Sequence, residues 1–424
     1  MTVRQKRRWP ILAGALLAAL ALLSWWQTTP VERPMAGPEL EPISITMGAS
    51  PAIYALPPTP SQHFLHPEAA RRAVQFLHLM QPSGTYIQSV LGQPQVVPMD
   101  VAHAAIALSE ADQLSRAEAA MTWLYARMIM PGQQGSYDPR YGDFSGSWFD
   151  DIQPNGSPMP GSTRGRGEAV GMALIATYSI YQQDPAYLDT LVGDYRIVDL
   201  VGRASEFLTR SNMQASDGRF YHSPDYHVAF NEECARMTLG LELAGRMLAA
   251  SGDGQAAQQT SIHAARGLVA LRSGEGMSQG MAYDYYGAAI WGLVSPTAAQ
   301  GELNDLQANG LVSVDGVRNW DWQLGQATTF PQWLHWWIQS QTISPSQTFD
   351  YAIAAVTAHD VGTALSLEQR WLPLQRPDGG FDDAYILGLR IGMGAPTSYS
   401  AARFILLDHL LSSLINSGTR ARPV

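Results

Sequence analysis

The sequence predicts an all-α chain in which six helical hairpins close into an (α/α)6 toroid, behind an N-terminal transmembrane or signal helix. Three observations carry that prediction. Segments with a 3.6-residue apolar period follow one another almost without interruption after residue 62. They alternate between amphipathic stretches that bear charges and Ala- and Gly-rich stretches nearly free of charge. Soon after four of the amphipathic stretches comes a Gly with an aromatic residue one or two positions later: Gly84 and Tyr86, Gly135 and Tyr137, Gly218 and Phe220, Gly380 and Phe381. Repetition of one corner implies repetition of one hairpin.

Residues 1–26 place Arg4, Lys6, Arg7 and Arg8 before an apolar run from Ile11 to Trp26, the layout of a bacterial export signal. No small-x-small cleavage site follows closely, and Trp25 and Trp26 suit a membrane interface. An uncleaved anchor is therefore expected, with the rest of the chain outside the cytoplasm, or a secreted protein if the segment is cut. Residues 27–62, with Pro30, Pro34, Pro38, Pro42, Pro57, Pro58 and Pro60, read as an extended tether. The toroid is expected over 63–415 and a disordered tail over 416–424.

Within the toroid, the amphipathic segments 66–80, 115–130, 198–210, about 255–271, 331–340 and 366–374 read as outer helices with one wet face. The segments 100–109, 168–180, 232–248, 284–294, 350–358 and 398–412 are apolar on nearly every side and must be packed on every side. They read as inner helices around an axis. An open helical solenoid is the alternative topology.

Composition limits the function. With 424 residues, 46% of them hydrophobic, the chain can bury a large core. A formal net charge of −10 argues against nucleic acid as a partner of the folded body. The single cysteine, Cys234, excludes an internal disulfide and any multi-cysteine metal site, and its apolar helix makes it a buried, inert thiol.

The long connections, 131–167 and 211–231, precede inner helices, so long loops and inner-helix N-termini share one face. Polar residues gather at those starts: Asp100 and His103, Glu168, Asn231 with Glu232 and Glu233, Asp284, Asp350, Thr397 and Ser398. Helix capping accounts for each one singly, at about 0.3–1 kcal/mol for an acid in a first turn. It accounts less well for their gathering near Trp148, Tyr221, Tyr285, Trp320, Trp322 and Tyr385, since carboxylates beside aromatic faces are what a sugar-binding cleft needs.

The segment GEAVGMALIATY, with Glu168, Gly171 and Met172, resembles the acid-bearing segment of family-8 glycoside hydrolases, and the chain as a whole resembles the wider class of six-hairpin glycosidase-like toroids. FDYAIAA, with Asp350 and Ala352, resembles that family's base-bearing segment, and AYDYYGAAIWGL, with Asp284, competes for the same match. The resemblance implies cleavage of a polysaccharide by inversion, with Glu168 as general acid and Asp350 or Asp284 as general base. Two features depart from the family. Glu168 falls on the second hairpin rather than the first, and Asn231, Glu232 and Glu233 replace a paired-aspartate motif. Inversion needs carboxyl groups about 6.5–9.5 Å apart; in a six-membered ring, hairpin five faces hairpin two, which sets Asp350 opposite Glu168. Arg164 and Arg166 beside Glu168 oppose an acid role unless they point away or hold substrate. Arg164, Trp148, Asp151, Glu232, Glu233, Tyr285 and Trp322 are the candidate substrate contacts, and Asp150 and Asp151 the reserve acids.

No metal or cofactor is expected. Asp138, Asp143, Asp150 and Asp151 match no calcium loop, His222 and His227 lack an evident third ligand, and no phosphate loop or nucleophile elbow is present. The expected partners are a polysaccharide or oligosaccharide substrate and, through residues 1–26, the bacterial inner membrane. The alternative function is a non-catalytic carbohydrate-binding or assembly subunit of an exopolysaccharide synthesis or secretion machinery.

Overall fold

The computed structural model describes residues 64–133, 135–274, 276–277, 286–318, 329, 342–386 and 392–418. Among them the helices run, in chain order, α1 (Pro67–Leu79), α2 (Pro98–Glu110), α3 (Leu114–Tyr125), α4 (Gly167–Gln183), α5 (Ile197–Thr209), α6 (Asn231–Ala250), α7 (Gly254–Ser273), α8 (Gly287–Ile290), α9 (Pro296–Ala308), α10 (Pro345–Thr357), α11 (Val361–Trp371) and α12 (Ser398–Gly418). Each even-numbered helix packs on the next: α2 on α4, α4 on α6, α6 on α8, α8 on α10, α10 on α12, and α12 returns to α2. That last contact makes a closed ring and rules out the open solenoid. The odd-numbered helices lie outside, each against the inner helices it joins.

The two helix kinds behave as their sequences dictate. Inner α4 buries every residue from Gly167 to Thr177, because nothing on it but Glu168 needs water. Outer α5 buries Ile197, Val198, Leu200, Val201, Ala204, Phe207 and Leu208 on one stripe, and each such large side chain contributes about 1.5–3 kcal/mol of burial. Small residues let inner helices approach closely. A Cβ on Gly240 of α6 would sit 2.6 Å from the Gly171 carbonyl oxygen of α4, and a Cβ on Gly171 would sit 2.7 Å from the Arg236 carbonyl oxygen. The Gly-aromatic corners hold at three of four places: Phe220 and Phe381 are buried and Tyr86 packs against Trp123, but Tyr137 is exposed on a two-stranded ribbon.

Three helix assignments differ from expectation. Among the described residues an outer helix not expected from the sequence, α9, lies against α8 and α10; its sparse stripe of Ala299, Leu303 and Leu306 is easily overlooked beside the aromatic segment 331–340. That segment lies outside the described residues, as do the anchor 1–26, the tether 27–62 and most of the tail; α12 itself runs on to Gly418, past the expected end at 415. Inner helix α10 begins at Pro345 rather than at 350, with Ser344 as N-cap accepting from the Gln347 amide and proline at the first helical position. Asp350 is therefore an interior residue of α10 and no cap. Among the described residues no helix is long and apolar enough to cross a membrane.

The connections that enter inner helices are long and those that leave them short, so one mouth of the ring is built from loops. The loop before α4 is pinned there by bridges from Phe149 to Arg164 and from Ile152 to Val96 and Pro158. A three-stranded antiparallel sheet, Thr342–Ile343, Ala384–Ile386 and Gly392–Met393, joins the loops that precede α10 and α12.

Candidate active site

First-turn acids mark the loop-built mouth: Asp100 on α2, Glu168 on α4, Glu232 and Glu233 on α6. None is an N-cap. The caps are Val97, Arg166 and Phe230, and none of the three makes a side-chain capping bond. The acids instead turn their side chains to other partners, Glu168 and Glu232 to Arg236 of α6, Glu233 to His222 and Asp100 to Ser89, so capping does not explain their gathering.

The centre of the arrangement is Arg236, one turn along α6 and 4% exposed. Its guanidinium donates to Glu168 Oε2 at 2.8 Å and to Tyr399 Oη at 3.3 Å, and pairs with Glu232 one turn back on its own helix. Burial alone would make Arg236 easier to deprotonate, but Glu232, Tyr399, Glu168 and Asp350 raise its pKa above that of a free arginine. It is a permanent cation. Glu168 has a second guanidinium at hand, Arg166 Nη1 at 3.6 Å. Arg166 in turn donates to Asp150 Oδ2 at 3.1 Å.

Tyr399 extends the network to α10. Its hydroxyl donates to Asp350 Oδ2 at 3.0 Å, and Asp350 Oδ1 pairs with Arg403, one turn along α12 from Tyr399. Burial, then Asp350, drives the Tyr399 hydroxyl well above the ordinary tyrosine range, so it stays protonated and donates. Glu168 and Asp350, on opposite sides of the ring, thus belong to one chain of contacts, Glu168–Arg236–Tyr399–Asp350–Arg403. His103 stands edge-on to Tyr399 with ring centroids 4.5 Å apart. Burial and then Arg236 and Arg403 hold it well below the usual histidine pKa, so it is a neutral wall of the site.

Two acids flank this chain under different conditions. Asp100 keeps part of its surface in solvent although protein surrounds it on most sides, and burial, with Glu168 and Asp151 adding to it against Ser89 and Arg236, pushes it up to about 7. Glu233 is raised by burial first and by Glu168 second; His222, with Nδ1 2.9 Å from both Glu233 oxygens, pulls the other way. His222 is itself raised, the Glu233 charge outweighing burial. Asp150 is raised by burial against Arg166 and Thr163. An acid such as Asp100 that titrates near neutral pH, set beside a carboxylate paired with fixed cations, supplies the components of general acid and base catalysis.

The sequence-predicted residues divide accordingly. Glu168, Glu232, Glu233 and Asp350 converge on one network. Asp151 accepts from Gln95 Nε2 at 2.6 Å at its edge. Arg164 does not reach Glu168: its guanidinium lies over the Phe144 ring, 4.4 Å from the centroid, and 3.7 Å from Asp138. Trp148 is no sugar platform, being 2% exposed with its indole N–H donating to the Leu124 carbonyl at 2.8 Å. Tyr385 is likewise buried, its hydroxyl donating to the Leu374 carbonyl. Asp284, Tyr285 and Trp322 lie outside the described residues. Sequence reasoning did not single out Arg236, Tyr399 or Arg403 as parts of the site, and it read His222 only as a surface or substrate contact without a third metal ligand beside it. The signal for Arg236, Tyr399 and Arg403 was a charged or hydroxyl group on an otherwise apolar inner helix, within two turns of its start.

The fold has close counterparts among solved structures. A glycosidase matches with a TM-score of 0.64 at 16% identity, over 82% of this chain and 96% of its own. A bacterial glucoamylase complexed with acarbose matches at 0.57 and 12% identity, over 84% of this chain and 59% of its own. A GH63 mannosylglycerate hydrolase from Thermus thermophilus, in complex with glucose, matches at 0.52 and 12% identity, over 80% and 99%. These likenesses establish a glycosidase-like helical toroid. No family model and no curated protein matches the sequence.

Proposed function

We propose that the chain is a glycoside hydrolase whose substrate, a polysaccharide or oligosaccharide, enters the loop-built mouth of the toroid. The observation that carries this reading is the placement of Asp100, Glu168 and Glu233 on the first turns of three successive inner helices, two with raised pKa values and one paired with arginines. The toroid's solved counterparts named above, two of them with acarbose or glucose bound, support it.

The roles follow from the partners. A general acid must hold a proton at working pH, which Asp100 at about 7 does while keeping contact with solvent. Glu168, which pairs with two guanidiniums, suits the opposite task of accepting a proton from water or steadying positive charge on the sugar ring. This reverses the expected role of Glu168. Asp350 is 2% exposed and shared by Arg403 and Tyr399, so it positions Tyr399 and through it Arg236 rather than meeting water. Glu233 and His222 form a second proton-holding pair beside Glu168.

A non-catalytic carbohydrate-binding subunit is the second reading, favoured by the ion pairs that occupy both Glu168 and Asp350. Hydrolysis decides between them. Sugar release from glucosides, β-glucans or bacterial exopolysaccharides that disappears in Asp100→Asn supports the enzyme. Binding of such a polymer without release, unchanged in Asp100→Asn, supports the second reading. We propose further, on the basic and apolar residues 1–26, that the protein works at the bacterial envelope under either reading; a reporter fused after residue 62 that is active only outside the cytoplasm supports this, and one active only inside overturns it.

A further inference from the structure

We propose that His66, Glu368 and Asp408 bind one divalent transition-metal cation, zinc above all, that ties the start of α1 to α11 and α12. The three residues are far apart in sequence, up to 342 positions, and the ring brings them together where its first and last hairpins meet. One imidazole nitrogen and two carboxylate oxygens lie within 4.8 Å of one another. The imidazole Nδ1 is 2.9 Å from Asp408 Oδ1 and 3.3 Å from Glu368 Oε2. A tetrahedral zinc ion with bonds of about 2.0–2.1 Å needs ligand atoms roughly 3.3 Å apart, close to the two imidazole-to-carboxylate distances; the two carboxylate oxygens would close on the ion from within 4.8 Å of each other.

A second observation points to a ligand. Among the described residues no other N–H or O–H donates to either oxygen of the fully buried Glu368 or to Oδ2 of the fully buried Asp408; the two carboxyl groups face each other, so a shared proton or a cation must hold them. Buried carboxylate oxygens without donors are costly, and a cation would satisfy them. The set has the other parts of a metal site. The His66 backbone N–H donates to Asp408 Oδ1 at 2.9 Å and fixes that carboxylate, as outer contacts of metal ligands do. The His66 side chain is 27% exposed, which leaves a path for the ion and a place for a water as fourth ligand. Mixed nitrogen and oxygen donors suit zinc better than calcium or magnesium, which take oxygen alone.

The test uses the full-length chain, freed of metal with a chelator and titrated with zinc chloride, with calcium chloride in parallel. The expected result is one zinc bound per chain, a raised melting temperature with zinc and none with calcium. Glu368→Gln, which keeps shape and volume, and His66→Ala should each weaken zinc binding by more than the tenfold to hundredfold typical of losing an outer-shell partner, roughly. Should a variant fail to fold, cobalt is added to the unaltered protein, where a tetrahedral site with a histidine ligand gives intense visible absorption. Absence of zinc uptake and of a cobalt spectrum overturns the proposal, leaving a proton shared by Glu368 and Asp408 as the occupant. Zinc affinity unchanged in both variants overturns it equally.

Discussion

Replacing Asp100 by Asn separates what the fold needs from what the site needs. An unfolded aspartate titrates near 3.8 and Asp100 in the fold at about 7. The sign follows from linkage: a folded-state pKa above the unfolded one means that the unfolded chain ionises first as pH rises, so native stability falls between about pH 4 and pH 7 and stays lowered above it. Three pH units at 1.36 kcal/mol each give ~4 kcal/mol, and solvent contact at Asp100 reduces this to ~2–4 kcal/mol. Asn cannot ionise, so the variant avoids the penalty. In urea unfolding of the full chain, Asp100→Asn should exceed the unaltered protein by ~2–4 kcal/mol at pH 9 and match it within ~0.5 kcal/mol at pH 4. The same variant should lose about 10²–10⁴-fold in hydrolysis, the usual worth of a general acid. A gain in stability joined to a loss of activity is the signature of a group kept for chemistry. Equal stability at pH 9, or a variant weaker there, would refute the reasoning, since Asp100 would then be a structural carboxylate.

Three further outcomes follow from the same network. Arg236→Met leaves Glu232 buried without its cation and Glu168 with Arg166 alone, and should cost ~3–5 kcal/mol in urea unfolding at pH 7. Gly171→Ala forces α4 and α6 apart where a Cβ would press on the Arg236 carbonyl; it should cost ~1–3 kcal/mol and reduce activity with every substrate alike, measured by melts and initial rates. His222 has a folded pKa above the usual 6.5, so its pairing with Glu233 stabilises the fold below that value and the contribution is lost as pH rises through the raised pKa. His222→Asn should abolish that step in stability against pH, and an imidazole titration above 6.5 in the unaltered protein, followed by nuclear magnetic resonance, checks its origin.

The ring was legible in the sequence because its cause is repeated: a helix with no charge past its first turn, such as the one at 168–180, has nowhere to go but inside other helices. Weak repetitions were not legible. Helix α9 buries only Ala299, Leu303 and Leu306, and a stripe that thin does not stand out from composition. Boundaries suffered where a good start signal, Ser344 with Pro345, was passed over for the acid that followed it, which turned the interior Asp350 into an apparent cap. For the site, the acids could be read because carboxylates on apolar helices must have a reason to be there. Their partners could not. Arg236, Tyr399 and Arg403 meet Glu168 and Asp350 only through ring closure, which sequence spacing does not measure. Trp148 shows the reverse error: an aromatic among loop residues looked like a sugar platform, yet its indole N–H had a buried carbonyl to satisfy.

The central claim is that these acids cleave a glycosidic bond. The most direct measurement is sugar release by the full chain over a panel of small glucosides, β-glucans and bacterial exopolysaccharides, at pH 5 to 9, beside Asp100→Asn and Glu168→Gln. The account predicts release that falls as pH rises past about 7, where Asp100 gives up its proton, and that either substitution abolishes while folding is retained. Release from no member of the panel, or release that survives both substitutions, would contradict it.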